Sequence, residues 1–264
     1  VTIVLLVILG LLIGAAINAL ADSLPQQGRP AFPHCHRCGA PRPVVGCVAW
    51  LGLVSGRWTC RYCRQPSQWR SLLVEALTAA LAVWLYLTNA GPAGFAVSLL
   101  VTSILVLISV IDIEHRLILH IVSLPSIGLM LLISLVHPSL DFWKAVFGGL
   151  AGFAIVMGLF LLGEVYSRWQ ARRRGRPLDE VAFGFGDVTL ATLLGVIVGW
   201  PGVVLALLIG ILAAGLFGLA YLLWMLLRRR YTPHLPIPYG PFLILGAGLV
   251  YLGGRELFSR LIIG

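Results

Sequence analysis

Eight apolar runs separated by short polar stretches set the pattern of the chain. The first, Val1–Ala21, carries no charge and has the roughly 20 residues that a membrane-spanning helix needs. No basic segment precedes it, so it reads as a span rather than a signal peptide. Further spans are expected near Ser71–Thr88, Ala93–Ile111, Val122–Val136, Phe142–Tyr166, Val188–Trp200, Val203–Leu227 and Phe242–Ile262. The run from Val188 is short and must borrow length from the residues before it or from Pro201, and the last run is interrupted by Gly253-Gly254-Arg255-Glu256. The pattern predicts an all-α polytopic membrane protein of about eight transmembrane helices. An even number of spans puts both termini on one side. One sizeable polar region interrupts the series, which divides the chain into a first span (1–21), a small polar module (22–70) and a membrane domain (71–264).

Composition strengthens this reading. Hydrophobic residues make up 59% of the chain and charged residues 11%, which excludes an ordinary soluble domain. The net charge of +9 would suit nucleic acid or anionic lipid, but its distribution along the chain decides the matter. Sixteen arginines fall in residues 22–70, at Arg116, in 168–176 and in 228–230, while only Lys144, Arg255 and Arg260 fall on the other side. By the positive-inside rule the polar module and these loops face the cytoplasm and both termini face away. The basic excess is a topology and lipid-headgroup signal. Without a basic surface interleaved with aromatic residues, no nucleic-acid partner is expected.

The polar module carries two C-x-x-C pairs, Cys35-His-Arg-Cys38 and Cys60-Arg-Tyr-Cys63, with 21 residues between them. Two such knuckles supply four thiolates for a tetrahedral structural Zn²⁺. Disulfides or unligated thiols are the alternatives, and a cytoplasmic placement weighs against disulfides. His34 and His36 flank the first knuckle and read as bystanders. Cys47 lies in the apolar stretch Val44–Val54 and reads as a small buried hydrophobe.

Two carboxylates stand at the cytoplasmic lips of spans: Asp112, at the end of the third, and Asp187, at the start of the sixth, in Gly184-Phe-Gly-Asp187. Carboxylates at such depth are expensive and usually functional. Asp187 could serve only as the N-cap of its span. The presence of a second acid at the same depth favours chemistry instead. A facing pair can share one proton, one acid acting as general base on water and the other as general acid on the leaving group. Gly184 and Gly186 would let backbone or substrate approach closely. No G-x-S-x-G or H-E-x-x-H signature competes. Of the other polar groups, Glu114 reads as an interfacial charge and His120 as a solvent-facing histidine. Asn18 reads as an interhelical hydrogen-bonding amide, Glu75 as a partner for Arg70 or a polar packing contact, and Glu164 as an acid reaching the interface. Two other classes remain open: a proton-coupled secondary transporter using both acids, and a non-catalytic scaffold built on the zinc module.

Five ordered motifs together carry a family resemblance. Gly14-Ala-Ala-Ile-Asn18 with Leu24-Pro25, the two knuckles followed by Leu73-Val74-Glu75, Ile111-Asp112-Ile-Glu-His-Arg-Leu-Ile118 with Leu124-Pro125, Gly184-Phe-Gly-Asp187, and Pro236-Ile-Pro-Tyr-Gly-Pro241 are arranged as in bacterial type IV prepilin peptidases. These are membrane aspartic proteases of the GxGD type. The resemblance implies that Asp112 and Asp187 form the catalytic dyad and that Gly184 and Gly186 support it. It implies removal of the basic leader from type IV prepilins or pseudopilins at the cytoplasmic face of the inner membrane. Bacterial members commonly also N-methylate the new terminus with S-adenosylmethionine, and the region between the knuckles is linked to that activity. The sequence departs from the family pattern at Thr189 (Lys in the family), at His120 (Asp), at Ser23 (Arg) and in Val44–Ser55.

Overall fold

The structure is a computed structural model, and it describes residues 1–32, 34–35, 38–40, 44–56, 59–66, 68–89, 91–137, 140–174, 184–228 and 238–262. The described residues are helical apart from turns, irregular connections and isolated bridges such as that between Thr59 and Pro66. Among the described residues ten helices follow in order: α1 (Thr2–Gln27), α2 (Val44–Cys47), α3 (Ala49–Val54), α4 (Trp69–Thr88), α5 (Pro92–His115), α6 (His120–Val136), α7 (Phe142–Arg174), α8 (Phe185–Val198), α9 (Gly202–Leu227) and α10 (Gly240–Ile262). Five of them (α1, α4, α5, α7 and α9) are long and apolar enough to cross a membrane. The apolar helices at His120–Val136, Phe185–Val198 and Gly240–Gly253 fall where three further spans are expected but are shorter. The chain forms two compact units, Val1–Ile111 and Asp112–Gly264.

In the first unit α1 packs on α4 through glycine. A Cβ on Gly10 would stand 2.4 Å from Ala79 Cα, and one on Gly14 would stand 2.4 Å from Thr78 Oγ1. The close face is therefore Gly10 with Gly14, one helical turn apart, and Ala16 points outward. Consecutive residues of a helix cannot share a face, so Ala16, two residues beyond Gly14, turns away from this contact. Thr78 Oγ1 donates to the Gly10 carbonyl at 2.8 Å, and Asn18 Nδ2 donates to the Ser71 carbonyl at 3.1 Å, the interhelical role expected of Asn18. Helix α1 runs past its apolar stretch and through Pro25 to Gln27, where Gly28, at φ 64, caps it by donating its N–H to the Leu24 carbonyl.

The second unit is built around α8. Val188, Leu190, Ala191, Leu193 and Leu194 are fully buried, and α8 touches α6, α7, α9 and α10. A helix that is apolar all round belongs inside a bundle. Its contact with α7 is again made of small residues: a Cβ on Gly148 would stand 2.3 Å from the Gly195 carbonyl, and one on Gly152 2.3 Å from the Ala191 carbonyl. Large apolar side chains on α1, α7 and α9, such as Leu12, Leu162 and Leu216, are exposed, as lipid-facing positions require.

Candidate functional site

The knuckles of the first unit are near copies of each other. Cys35 N–H donates to the Ala40 carbonyl and Gly39 N–H to the Cys35 carbonyl, both at 2.8 Å. Cys60 N–H donates to the Gln65 carbonyl at 2.8 Å, and Arg64 N–H to the Cys60 carbonyl at 2.9 Å. The residue after each second cysteine is left-handed, Gly39 at φ 68 and Arg64 at φ 55. These matched turns bring the four Sγ atoms within 4.8 Å of one another. Cys35 Sγ lies 3.5 Å from Cys63 Sγ and Cys38 Sγ 3.7 Å from Cys60 Sγ, both far beyond a disulfide bond. The Ala40 N–H pulls the Cys38 thiol down, but desolvation together with the neighbouring sulfurs of Cys63, Cys35 and Cys60 prevails and pushes it up to about 11. The Cys60 thiol is held below its ordinary value by the backbone N–H groups of Cys63 and Tyr62. His34 Nδ1 lies 3.2 Å from the Phe32 carbonyl, away from the cluster's ligand set, while His36 lies outside the described residues. Cys47 is half-buried rather than buried.

In the second unit the two aspartates share one device. Asp187 is the third residue of α8, and its Oδ2 accepts the N–H of Gly184, the N-cap, at 2.9 Å. Asp187 is thus not the N-cap itself: the helix begins at Phe185, one turn earlier than the apolar run, but ends at Val198 and stays short at 14 residues. Asp112, buried in the last turn of α5, accepts at its Oδ2 the N–H of Gly240, the first residue of α10, at 3.0 Å. Each carboxylate therefore satisfies an N–H that the opening turn of a helix would otherwise leave unpaired. Asp187 lies close enough for its charge to be felt at Asp112.

Glycine makes the approach possible. A Cβ on Gly186 would stand 2.9 Å from Ile118 Cβ and 3.3 Å from its carbonyl, so α8 starts directly against the segment that follows α5. A Cβ on Gly240 would stand 2.6 Å from Asp112 Oδ2. At Gly184 the nearest atoms would be 3.8 Å away, so no contact in this structure demands glycine there. Arg116, at φ 54, turns the chain after α5, and its N–H donates to the Asp112 carbonyl at 2.8 Å.

Around the pair, the His120 ring stacks on Phe185 with centroids 5.6 Å apart. Glu114 is exposed beside His115, at 3.9 Å. Thr189, where the resembling family has lysine, turns inward and donates from Oγ1 to the Gly186 carbonyl at 2.8 Å. Ser23 likewise bonds its own helix, donating to the Ala19 carbonyl at 2.8 Å. Arg70 pairs with Asp22 at 2.6 Å, which removes it as a partner for Glu75. Glu164 pairs with Arg168, one turn along α7. Pro236 and Ile237, Arg176, Asp179 and Glu180, and Arg229 and Arg230 lie outside the described residues, as does the side chain of Arg174. Sequence reasoning missed Gly240 as the partner of Asp112. No local signal marks it: the run Pro238-Tyr-Gly-Pro241 holds two N–H groups between its prolines and names no acceptor.

Comparison with known proteins gives a consistent result. Residues 99–219 match the model described as the type IV leader peptidase family, and residues 8–89 match that of the bacterial peptidase A24 N-terminal domain. The chain is 29% identical over 229 residues to the prepilin leader peptidase/N-methyltransferase of Aeromonas hydrophila, covering 87% of this chain and 73% of the relative. It is 28% identical over 243 residues to a protein of that name from Burkholderia pseudomallei strain 1026b, covering 91% of this chain and 74% of the relative. Against the Pseudomonas aeruginosa protein of that name, identity is 27% over 285 residues, covering 95% and 90%. No solved structure matches.

Proposed function

Because the chain belongs to the type IV leader peptidase family, we propose that it removes leader peptides from type IV prepilins or pseudopilins by aspartic catalysis at Asp112 and Asp187. The observation that carries this reading is that both carboxylates are held by glycine N–H groups at helix N-termini within one unit, in electrostatic range of each other. Groups fixed in this way lose little by ordering when a substrate arrives. The pair would carry one proton between them. The ionised member takes a proton from water as it attacks the scissile carbonyl, and the neutral member protonates the departing amine. Gly186 supports the geometry by letting α8 start against Ile118. Gly184 supports it through its N–H to Asp187.

The arginine distribution supports an orientation in which this site and the cysteine module face the cytoplasm, in a multi-pass protein of the inner membrane. The same arginines supply contacts to lipid headgroups, and the reading includes no nucleic-acid partner. The module at 22–70 would act as a zinc domain between the first span and the peptidase domain at 71–264. Its four cysteines fit the metal. Bonds of about 2.3 Å in a tetrahedron put sulfurs about 3.8 Å apart, close to the 3.5 and 3.7 Å separations across the knuckles. Zinc bound by Cys35, Cys38, Cys60 and Cys63 would staple the module. N-methylation of the new terminus is the second activity proposed, with S-adenosylmethionine supplying the methyl group.

The test is to incubate the purified protein with a prepilin and to resolve leader loss and methylation separately. Leader loss is expected with or without S-adenosylmethionine, and methylation only with it. A correctly inserted protein that removes no leader from any prepilin or pseudopilin offered would remove the peptidase reading.

A further inference from the structure

Glu75 is a fully buried carboxylate in the second turn of α4 to which the proposed cleavage steps assign no part. Its oxygens accept the first two amide groups of α3: Ala49 N–H donates to Oε1 at 2.7 Å and Trp50 N–H to Oε2 at 3.1 Å. The opening N–H groups of a helix normally need a side-chain cap, and the residue in the cap position here is Val48, which has no acceptor. The cap comes instead from 26 residues further along the chain. The Trp50 indole N–H also donates to the Leu72 carbonyl at 3.1 Å. On the other side of Glu75 lies α1, so close that a Cβ on Gly14 would stand 2.6 Å from Glu75 Cα. Three helices thus meet at one carboxylate, and the helix it holds lies in the middle of the segment between Cys38 and Cys60.

We propose that Glu75 is a positioning residue for methyl transfer: it docks residues 49–54 on the α1–α4 pair, fixing the loop closed by the four cysteines at a second point. Its functional half rests on the methyltransferase reading above. The chemistry explains the residue type. Two neighbouring N–H donors need two acceptor oxygens, which glutamate provides. Glutamine would turn an NH₂ toward one of the donors, and aspartate is one methylene too short to keep both bonds.

The test uses the full-length, zinc-loaded protein and its Glu75→Gln variant. Hydrogen exchange of residues 49–54, zinc content, prepilin cleavage and methylation of a pre-cleaved pilin peptide are measured on both. In the variant, exchange at 49–54 is expected to rise at least about tenfold, since a charge-assisted bond to each of two amides is disturbed. Methylation is expected to fall by at least about tenfold, with zinc content and cleavage kept. Unchanged protection of residues 49–54 would overturn the docking role. Faster exchange with undiminished methylation would overturn the positioning role. If the wild-type protein methylates nothing, the methyltransferase reading fails by itself and exchange still decides the docking. Should Glu75→Gln fail to insert, Ala49→Pro removes the shorter bond at the first helical position. Proline is tolerated there, and Val48, at φ −91 and ψ 112, already has the conformation that precedes it. The same loss of protection is expected, and its absence would overturn the docking role.

Discussion

Gly240 N–H donates to Asp112 Oδ2 at 3.0 Å, and a Cβ on Gly240 would stand 2.6 Å from that same oxygen. The residue that holds the carboxylate is therefore also one that admits no side chain. Gly240→Ala must displace either Asp112 or the start of α10. A shift of about 1 Å near reacting atoms can cost about a hundredfold in rate. Gly240→Ala is accordingly expected to lower kcat for prepilin cleavage by about ten- to a hundredfold in protein with normal insertion and zinc content. Wild-type kcat in that variant would count against the role of this contact.

The two glycines near Asp187 are expected to separate. A Cβ on Gly186 collides with Ile118, whereas one on Gly184 would meet its nearest atoms at 3.8 Å. Gly186→Ala should therefore cost about tenfold or more in cleavage. Gly184→Ala should cost less, because the N–H that Asp187 uses survives the change. Steady-state kinetics on both variants settles the order, and a larger loss at Gly184 would point to a substrate contact there.

Much of this was legible in the sequence, because the strongest signals were those of spacing. C-x-x-C pairs must turn back on themselves to bring two sulfurs together, and the resulting cluster of Cys35, Cys38, Cys60 and Cys63 is found. Apolar runs located the helices, but not which would be long enough to cross a membrane. Helix α8 is short because it is enclosed by other helices, and hydropathy cannot tell protein from lipid as a neighbour. What escaped was long-range backbone pairing. Gly240 is 128 residues from Asp112, and nothing local marks its N–H as a donor to a carboxylate. Glu75 escaped for the same reason: Arg70 is nearer in sequence, yet Asp22 takes Arg70, and α3 takes Glu75.

The metal centre has its own test. Elemental analysis should return about one zinc per chain, and a chelator should loosen the cysteine module while the apolar helices stay folded. Arg64 holds a left-handed conformation that its matched position, Gly39, adopts at no steric cost. Arg64→Gly is therefore expected to relieve about 1 kcal/mol of strain and to make the zinc about fivefold harder to extract. Less than one zinc per several chains in fully reduced protein would defeat the structural zinc assignment.

The exposed arginines at the end of α7 should matter for the membrane rather than for turnover. Arg173 lies over the Trp169 ring at 4.0 Å, an arrangement suited to the headgroup region. Changing Arg172 and Arg173 to Gln is expected to weaken binding to anionic lipid or correct insertion. Cleavage by the inserted fraction should stay within about twofold, since a basic leader gains nothing from arginines. A large loss of turnover in correctly inserted protein would instead place these residues at the substrate.

The most direct measurement is prepilin cleavage by Asp112→Asn, Asp187→Asn and the double variant, each inserted normally and carrying its zinc. The two aspartates divide one reaction between them, so each single change should abolish cleavage, and the double change should cost little more than either alone. Methylation of a pre-cleaved peptide should survive all three. Normal cleavage by either single variant would contradict the assignment of the dyad to Asp112 and Asp187.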